Sequence, residues 1–465
     1  MQQLSGMDAA FVHLETPSTP MQVVGIIVLD TSELDAPFDL ARLHRTLDER
    51  VHLIPPFRRR LVQVPLHLDR PYWVEEPPVL DRHLFAISAP APGDDAALGE
   101  IAGRLAATPL SHDKPLWEMW LVEGLAGGRV AIVAKMHHAT MYGLSGANLI
   151  SHIFDLDPAG QEISPPSEAP VAEAEPSATS LLVRAARNSA GAPVRFAKEL
   201  VNSTRNIANT AVGAARRTFG DAPSSLRLAP RSPLNGALTE PRAVAFGRVG
   251  LDDVKAVKNA VGGTVNDVVL ALVTNAMRRY LLSRDHAPSQ RLVASVPVAI
   301  GEGDVATTDR IGAMLVGLPI ELDDPFEQLH EIVITTQQAK DLTRSLGTDV
   351  FGNWADLTAP PLLIAGARIY SNLQLANLHR PLHNLVVSNV PGPPIPLYTA
   401  GARVEAIYPL GPLLPGSGLN VTVLSNLGNI DFGFLVCPDL VTDHWSIPAY
   451  LAPTLTELLK AVNAG

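Results

Sequence analysis

The chain has 465 residues, of which 46% are hydrophobic and 18% are charged, and its formal net charge is -11 at pH 7. This length exceeds one ordinary hydrophobic core, so two domains of roughly 200 residues each are expected. The composition excludes a disordered chain, and the acidic balance argues against general nucleic-acid binding. The single cysteine, Cys437, excludes an intramolecular disulfide and is compatible with the cytosol.

Proline content and hydropathy set the class of fold. Forty prolines limit helix length and favour a mixed α/β architecture of many short elements. The N-terminus carries neither a basic region nor a long apolar run, so we expect no secretory signal. A charge-free apolar span of about 20 residues is also missing, and we therefore expect any membrane contact to be peripheral.

In the N-terminal half, runs of β-branched residues alternate with amphipathic patterns. The predicted strands cover residues 21–29, 72–74, 113–124 and 129–138, and the predicted helices cover residues 38–51, 98–107 and 144–154. The turn at residues 124–129 predicts that the last two strands form a hairpin.

The middle of the chain has an unusual composition. Residues 161–180 are rich in Pro, Ala, Ser and Glu, which is typical of a linker. Residues 181–219 contain seven basic residues against one acidic residue, a net charge of +6. Two interpretations of this basic segment are open. It is either an arm attracted to anionic lipid headgroups or a linking helix whose arginines are merely solvated.

The C-terminal half again mixes strands and helices. Residues 264–280 predict a long apolar helix that Thr264 caps. The other predicted strands cover residues 243–249, 291–300, 313–321, 384–390, 403–407, 419–425 and 430–437, and the other predicted helices cover residues 251–261, 326–344, 354–378 and 447–462. We therefore predict an N-terminal domain at 1–160, a connection at 161–240 and a C-terminal domain at 241–465.

Two adjacent histidines, His137 and His138, end the predicted strand 129–138. Side chains alternate along a strand, so the two imidazoles point apart. Ligands of one zinc ion must converge at about 2.0 to 2.1 Å, so we predict no metal site from this pair. A single histidine at a strand end is suited to act as a general base, because its ordinary pKa near 6.5 leaves it largely neutral in the cell.

The histidine pair opens the heptapeptide His-His-Ala-Thr-Met-Tyr-Gly at residues 137–143. It resembles the H-H-x-x-x-D-G motif of CoA-dependent acyltransferases of the chloramphenicol-acetyltransferase and peptide-synthetase condensation type. Other segments follow the order found in the bacterial wax ester synthase/diacylglycerol acyltransferase family, especially its actinobacterial triacylglycerol synthase branch. They are Met-Asp-Ala-Ala-Phe at 7–11, Pro-Pro-Phe-Arg-Arg-Arg-Leu at 55–61, Pro-Leu-Trp at 115–117, Asn-Asp at 266–267 and Ser-Asn-Val-Pro-Gly-Pro at 388–393. The resemblance extends over nearly the whole chain.

The resemblance implies a fold and an activity. The fold is two chloramphenicol-acetyltransferase-like α/β domains with an interdomain tunnel, where acyl-CoA meets an acceptor alcohol. The activity is long-chain acyl-CoA:alcohol O-acyltransfer, which forms triacylglycerol from diacylglycerol and, with fatty alcohols, wax esters. No cofactor is implied. The expected location is cytoplasmic, peripheral to the inner membrane or to lipid droplets.

The resemblance also implies roles for individual residues. His138 is the expected general base, His137 is expected to give structural support, and Gly143 is expected to permit the turn after the strand. Asn266 and Asp267 are candidates for substrate binding, although capping of their helix is the more ordinary role. The segment formed by Pro115, Leu116 and Trp117 is expected to pack beneath the strand that bears the histidines.

One residue departs from the family motif. Tyr142 stands where the family normally has an aspartate that pairs with an arginine, and a tyrosine does not replace that carboxylate. This substitution supports an alternative function, a catalytically weak or silent paralogue in lipid binding or protein interaction. A condensation enzyme that uses carrier-bound acyl groups is a third reading, which the lack of fused carrier modules disfavours. A metal hydrolase is the least favoured, because no H-E-x-x-H spacing occurs.

Overall fold

The structure is a computed structural model that describes residues 1–141, 152–166, 171–190, 229–286, 289–299, 311–346 and 360–464. Within these residues the helices are α1 (Gly6–Leu14), α2 (Leu40–Arg50), α3 (Asp95–Ala107), α4 (Ala178–Ala190), α5 (Leu251–Val261), α6 (Val265–Leu282), α7 (Pro325–Leu346), α8 (Pro360–Asn372), α9 (Ser446–Ala449) and α10 (Leu451–Ala464). The strands are β1 (Gln2–Gln3), β2 (Gln22–Asp30), β3 (Arg59–Val62), β4 (Tyr72–Glu75), β5 (Leu84–Ser88), β6 (Trp117–Glu123), β7 (Val130–His137), β8 (Ala243–Gly250), β9 (Leu292–Ala299), β10 (Ile311–Leu318), β11 (Leu385–Val390), β12 (Tyr398–Thr399), β13 (Ala402–Leu410), β14 (Leu419–Asn426) and β15 (Asn429–Val436).

The first large sheet contains six strands in the order β12-β13-β2-β7-β6-β5 within the described residues. β7 lies near its centre, antiparallel to both β2 and β6. The β6–β7 hairpin predicted from the sequence is confirmed, with Trp117 opposite Met136. Side chains on both faces of β7 are buried, which explains why the strand is an almost uninterrupted apolar run.

The second large sheet lies in the C-terminal half and has the order β10-β9-β11-β14-β15-β8. It mixes parallel and antiparallel pairs, since β11 runs parallel to its neighbours β9 and β14. Helices α5, α6, α7 and α10 share a hydrophobic core with this sheet. The described residues also form a small sheet, β1-β4-β3. Two six-stranded mixed sheets with covering helices are the α/β architecture that the sequence predicts.

The two halves are interlocked. β13 follows β11 in the chain, yet it joins the first sheet and pairs with β2, with Arg403 opposite Asp30 and Leu410 opposite Val24. Helix α3 packs against β8, where glycine is needed because a Cβ on Gly103 would lie 2.7 Å from a backbone oxygen. The N-terminal half therefore takes a strand from the C-terminal half and packs a helix against its sheet.

Some elements differ from the expectations. The sequence patterns did not reveal α1, β3 or β5, since these elements are short and show no clear separation of apolar and polar faces. The helix expected at 447–462 is divided into α9 and α10, and α8 covers only part of the helix expected at 354–378. Most of the helix expected at 144–154 and of the basic segment 181–219 lies outside the described residues.

No individual helix within the described ranges has the length and apolarity of a membrane span. The pair α5 and α6 meets those criteria only when the two helices are combined across a 103° bend.

A buried ion pair lies where two segments of the N-terminal half meet a short strand from the C-terminal half. Arg50 ends α2, and its Nη2 atom lies 2.5 Å from Oδ1 of Asp155, with both side chains at most 5% exposed. The same oxygen accepts the Gln161 N–H group, while the Asp155 backbone pairs with that of Tyr398 in β12. The carboxylate of Asp155 therefore holds α2 and the start of the connecting segment together, and the backbone of the same residue adds β12.

We expect the substitution Asp155→Ala to destabilise the fold by about 3 to 5 kcal/mol, because it leaves the Arg50 charge buried without a partner. Urea unfolding followed by circular dichroism measures this loss. The control is Asp113→Ala, which removes the carboxylate of an exposed pair with Arg82 and should have a much smaller effect. Equal losses in the two variants would contradict the prediction.

Candidate active site

The histidine pair lies where β7 ends and a single 3-10 turn, His138–Thr140, begins. The His137 N–H group donates to the Leu116 carbonyl at 3.0 Å, and the His138 N–H group donates to the Met21 carbonyl at 2.8 Å. These two acceptors precede β6 and β2, the strands on either side of β7. The backbone of the pair is therefore fixed from both neighbouring strands.

His138 stacks on Phe11 of α1, with ring centroids 3.9 Å apart and ring planes 26° apart. The Ser5 hydroxyl caps this helix by accepting the Asp8 N–H group. Although His138 keeps part of its surface exposed, burial lowers the pKa of its imidazole to about 4, and the adjacent His137 adds to this effect. The ring is therefore neutral and able to accept a proton throughout the cellular pH range.

His137 is fully buried and contacts different partners from His138, as strand alternation predicts. Its Nδ1 atom accepts the Ala139 N–H group at 3.1 Å. In the neutral ring, the proton must then lie on Nε2. This Nε2 atom has no hydrogen-bond partner within the described part of the chain, and it lies 3.7 Å from Oε2 of Glu15.

Glu15 follows α1 and brings a carboxylate to the buried side of the histidine pair. Its Oε1 atom accepts the Met21 N–H group at 3.3 Å, and its Oε2 atom lies 3.1 Å from Nε2 of His112. Burial alone would raise the pKa of this carboxyl, but its interactions with His112 and His137 outweigh that effect and lower the pKa to about 2. Glu15 is therefore ionised at neutral pH.

Glu15, His112 and His137 place one possible metal-ligand atom each within 4.8 Å of one another. The protonation of His137 argues against a metal ion there. A ligating histidine normally donates its second ring N–H group, whereas Nδ1 of His137 accepts a hydrogen bond and leaves the proton on Nε2, the atom that faces the cluster. The arrangement is better described as one carboxylate, that of Glu15, which faces ring N–H groups of His112 and His137.

The Pro115-Leu116-Trp117 segment lies beside the end of β7 in the same sheet, with Trp117 opposite Met136, and not beneath the strand as expected. Leu116 and Trp117 are fully buried, and the Trp117 indole stacks between the rings of Phe57 and His83 at centroid distances of 4.3 and 4.2 Å. The indole N–H group donates to the Phe57 carbonyl at 3.1 Å. This packing holds Trp117 in place. It thereby steadies the preceding residue, Leu116, whose carbonyl accepts the His137 N–H group.

Asn266 and Asp267 lie in the first turn of α6. Asp267 and Thr264 form a capping box, in which Oδ2 of Asp267 accepts the Thr264 N–H group at 2.8 Å. Its Oδ1 atom accepts the Thr336 hydroxyl at 2.8 Å. Both carboxylate oxygens of Asp267 therefore accept hydrogen bonds from protein groups. Asn266 is half-buried.

Two predicted site residues, Tyr142 and Gly143, lie outside the described residues. Beside the turn that follows His138, a cavity of about 200 Å³ is lined by residues including Asp8 and Thr140. Burial raises the pKa of the Asp8 carboxyl to about 7.

Three residues around the histidine pair were not expected there from the sequence, although the first of them ends the family segment 7–11. They are Phe11, Glu15 and His112. The Ser-x-x-Asp spacing of Ser5 and Asp8 is a helix-capping signal that predicts α1 and so brings Phe11 into consideration. No local pattern connects Glu15 with His112, because 97 residues separate them.

A neutral histidine on an anchored strand end, within an α/β fold of two mixed sheets, is the arrangement expected of an acyltransferase with a condensation-domain-like fold. The family model for the wax ester synthase/diacylglycerol acyltransferase catalytic domain matches residues 4–269, and the model for the C-terminal domain of that family matches residues 308–459. The chain therefore belongs to the wax ester synthase/diacylglycerol acyltransferase family, as the sequence resemblance indicates.

Particular relatives agree with this assignment. A Mycobacterium tuberculosis CDC 1551 protein, whose name assigns it to the diacylglycerol O-acyltransferases, is 37% identical over 99% of this chain and 90% of its own length. The wax ester synthase/diacylglycerol acyltransferase of Marinobacter aquaeolei VT8 superposes with a TM-score of 0.70 and 27% identity, covering both chains completely. The first condensation domain of the CDA synthetase shares the fold, with a TM-score of 0.54 and 16% identity over 99% of this chain and 95% of that domain.

The lowered pKa of His138 predicts the acid limb of the pH profile. Acyl transfer needs the unprotonated imidazole, so kcat/KM should fall with an apparent pKa near 4 rather than 6.5.

The same lowered pKa affects stability. Between pH 6.5 and 4 the unfolded chain binds a proton at His138 and the folded chain does not, so the free energy of unfolding should decrease as the pH falls through this window.

Initial rates from about pH 3.5 to 8, with circular dichroism at each pH to exclude unfolding, test this acid limb. A limb near pH 6.5 in a fully folded sample would show that the ring is as solvated as a free histidine.

Proposed function

We propose that this protein transfers a long-chain acyl group from acyl-CoA to the hydroxyl of diacylglycerol, which forms triacylglycerol. Long-chain fatty alcohols are the second proposed class of acceptor, and wax esters are then the product. The observation that carries the proposal is the neutral His138 ring at the end of a strand fixed from both sides. Family membership and the names of the relatives support the substrate class.

The proposed mechanism uses His138 twice. Its free ring nitrogen takes the proton of the acceptor hydroxyl while the oxygen attacks the thioester carbonyl carbon, because an alcohol with a pKa far above 7 is a poor nucleophile. The tetrahedral intermediate then breaks its carbon–sulfur bond, and the imidazolium returns the proton to the departing CoA thiolate. All atoms come from acyl-CoA and the alcohol, so we propose no cofactor.

The proposed arrangement of domains follows the sequence prediction. Acyl-CoA and the acceptor approach His138 through a tunnel between domains 1–160 and 241–465, with residues 161–240 as the connection. The interlocking of the two halves through β13 and α3 supports a binding path that both halves line.

The other site residues have supporting roles in this proposal. His137 supports the turn, Gly143 permits it, and Asn266 contributes a polar group near the substrate path. Tyr142 stands at the position of the motif aspartate, and the enzyme is proposed to be active without that carboxylate. The names of the relatives favour an active enzyme over a silent lipid-binding paralogue.

The first test follows ester formation from labelled palmitoyl-CoA and dioleoylglycerol. His138→Ala should lower kcat by about 10²- to 10⁴-fold, the range of general-base catalysis. His44→Ala is the matched control, because His44 is an exposed histidine on α2 whose ring meets Asp81 at the surface. Wild-type product no greater than that of His138→Ala would reject the enzymatic function.

Two further experiments test the alternative functions, a weakly active paralogue and a condensation enzyme. Tyr142→Asp should increase turnover if the missing carboxylate limits the enzyme, and an unchanged rate indicates that the turn is compensated by other contacts. A comparison of CoA-bound with carrier-protein-bound palmitate separates this activity from that of a condensation enzyme.

We also propose peripheral binding to an anionic membrane or lipid-droplet surface. Leu181 and Ala185 of α4 pack beside the β3–β4 sheet, while Leu182 and Val183 are 38% and 47% exposed. The turn Pro65–His67 contacts α4, and it presents Leu66 at 80% exposure. Exposed apolar side chains beside the +6 segment are the composition expected of an interfacial surface.

Sedimentation with anionic liposomes tests this surface. Replacement of the exposed Arg184 and Arg187 by glutamine should weaken binding, by about 1 kcal/mol per residue at low salt. Replacement of Arg45 and Arg104 on α2 and α3 provides a control with the same change in charge. Equal binding by both double variants would show that the basic segment is not the anchor.

A further inference from the structure

We propose that Glu15 is a positioning residue for the catalytic base. Its carboxylate fixes two groups, the Met21 backbone and the His137 ring, and each of these holds the backbone next to the reactive imidazole. The inference rests on the proposed acyl transfer by His138 and adds a residue that the family motif does not contain.

The first connection passes through Met21. Oε1 of Glu15 accepts the Met21 N–H group at 3.3 Å, and the Met21 carbonyl accepts the His138 N–H group at 2.8 Å. Met21 is only 1% exposed, so water has little access to these backbone groups. Two consecutive hydrogen bonds therefore link the Glu15 carboxylate to the backbone of the base.

The second connection passes through the His137 ring. Its Nδ1 atom accepts the Ala139 N–H group at 3.1 Å, which holds the residue immediately after the base. This bond requires the ring proton on Nε2, and Nε2 points to Oε2 of Glu15 at 3.7 Å. That distance is too long for a good hydrogen bond, but the carboxylate still provides an attractive charge for a buried N–H group that has no other partner within the described residues.

His112 fixes the carboxylate itself. Its Nε2 atom lies 3.1 Å from Oε2 of Glu15, and its side chain is 35% exposed, so the outer side of the cluster reaches the solvent. Glu15 thus receives N–H groups from Met21 and His112 while facing that of His137. An ionised carboxylate suits this environment because it only accepts hydrogen bonds.

The substitution Glu15→Gln separates this function from simple packing. Glutamine has almost the same shape, but its amide has one acceptor oxygen and one donor nitrogen. The amide nitrogen would confront either the Met21 N–H group or the two histidine N–H groups, so one side of the cluster loses its acceptor.

We expect Glu15→Gln to lower kcat about 10- to 100-fold while KM for palmitoyl-CoA changes less than 2-fold, because the misplaced group is the base and not a substrate contact. His137→Asn should lower kcat similarly. The double variant should be little worse than either single variant, since both changes interrupt the same path.

Glu118→Gln is the matched control. Glu118 lies on β6 in the same sheet, its carboxylate is 14% exposed against 12% for Glu15, and it bridges the buried Lys114 and Lys135. We expect this control to lose thermal stability and to retain the wild-type kcat. An equal loss of kcat in the Glu15 and Glu118 variants, or additive losses in the double variant of Glu15 and His137, would overturn the proposal.

A second measurement does not depend on activity. Nitrogen-15 NMR of histidine-labelled protein, with the His137→Asn variant for assignment, should show His137 protonated at Nε2 in the wild type and a shifted signal in Glu15→Gln. A proton on Nδ1, or stoichiometric binding of added Zn²⁺ that is lost in His112→Gln, would overturn the proposal in favour of a metal site. If the wild type is inactive in every ester assay, the proposed function fails, while the NMR result still decides the role of Glu15.

Discussion

The geometry of the active site depends on two main-chain hydrogen bonds at the end of β7. The carbonyls of Leu116 and Met21 lie just before β6 and β2, and they accept the N–H groups of His137 and His138. Buried backbone groups must be satisfied, and here the sheet satisfies them without using either imidazole. His138, the proposed base, therefore has the rigidity of a central strand, while neither of the two main-chain hydrogen bonds occupies its ring.

The surroundings of His138 keep its ring in the neutral form at the cost of a lower affinity for protons. Burial and the neighbouring His137 lower the pKa of the ring, so its affinity for a proton is smaller than that of a free histidine. In return, the ring is almost never protonated before the acceptor arrives. The stack on Phe11 holds the plane of the ring, and in the proposed mechanism this placement compensates for the reduced basicity.

The sequence predicted those parts of the fold that depend on local patterns. β7 and the helix Leu251–Val261 are examples, because a β-branched apolar run and an amphipathic run each have one favourable structure. It also predicted the β6–β7 hairpin, whose strands are joined by a short turn. The family resemblance supplied the general class of protein.

The remaining features depend on contacts between distant parts of the chain. α1 was missed because apolar residues occupy most sides of this nine-residue helix and give no clear amphipathic pattern, although Ser5 gave a capping signal. The Glu15 cluster was missed because His112 and His137 reach it from remote segments. Strand geometry alone predicted that the His137 and His138 side chains point apart. The residues that each histidine contacts could be found only from the order of strands in the sheet.

The exchange of β13 has a consequence for how this chain is made. β2 and β13 are neighbours in the finished sheet, although the residues paired at the end of their ladder, 30 and 403, lie far apart in the chain. A ribosome therefore completes β2, β6 and β7 long before the strand that covers the outer edge of β2 has been synthesised. Throughout that interval the edge of a strongly apolar strand has no permanent partner, which is a state prone to pairing with other chains. The strand order thus leaves the edge of β2 open to such pairing until β13 has been synthesised.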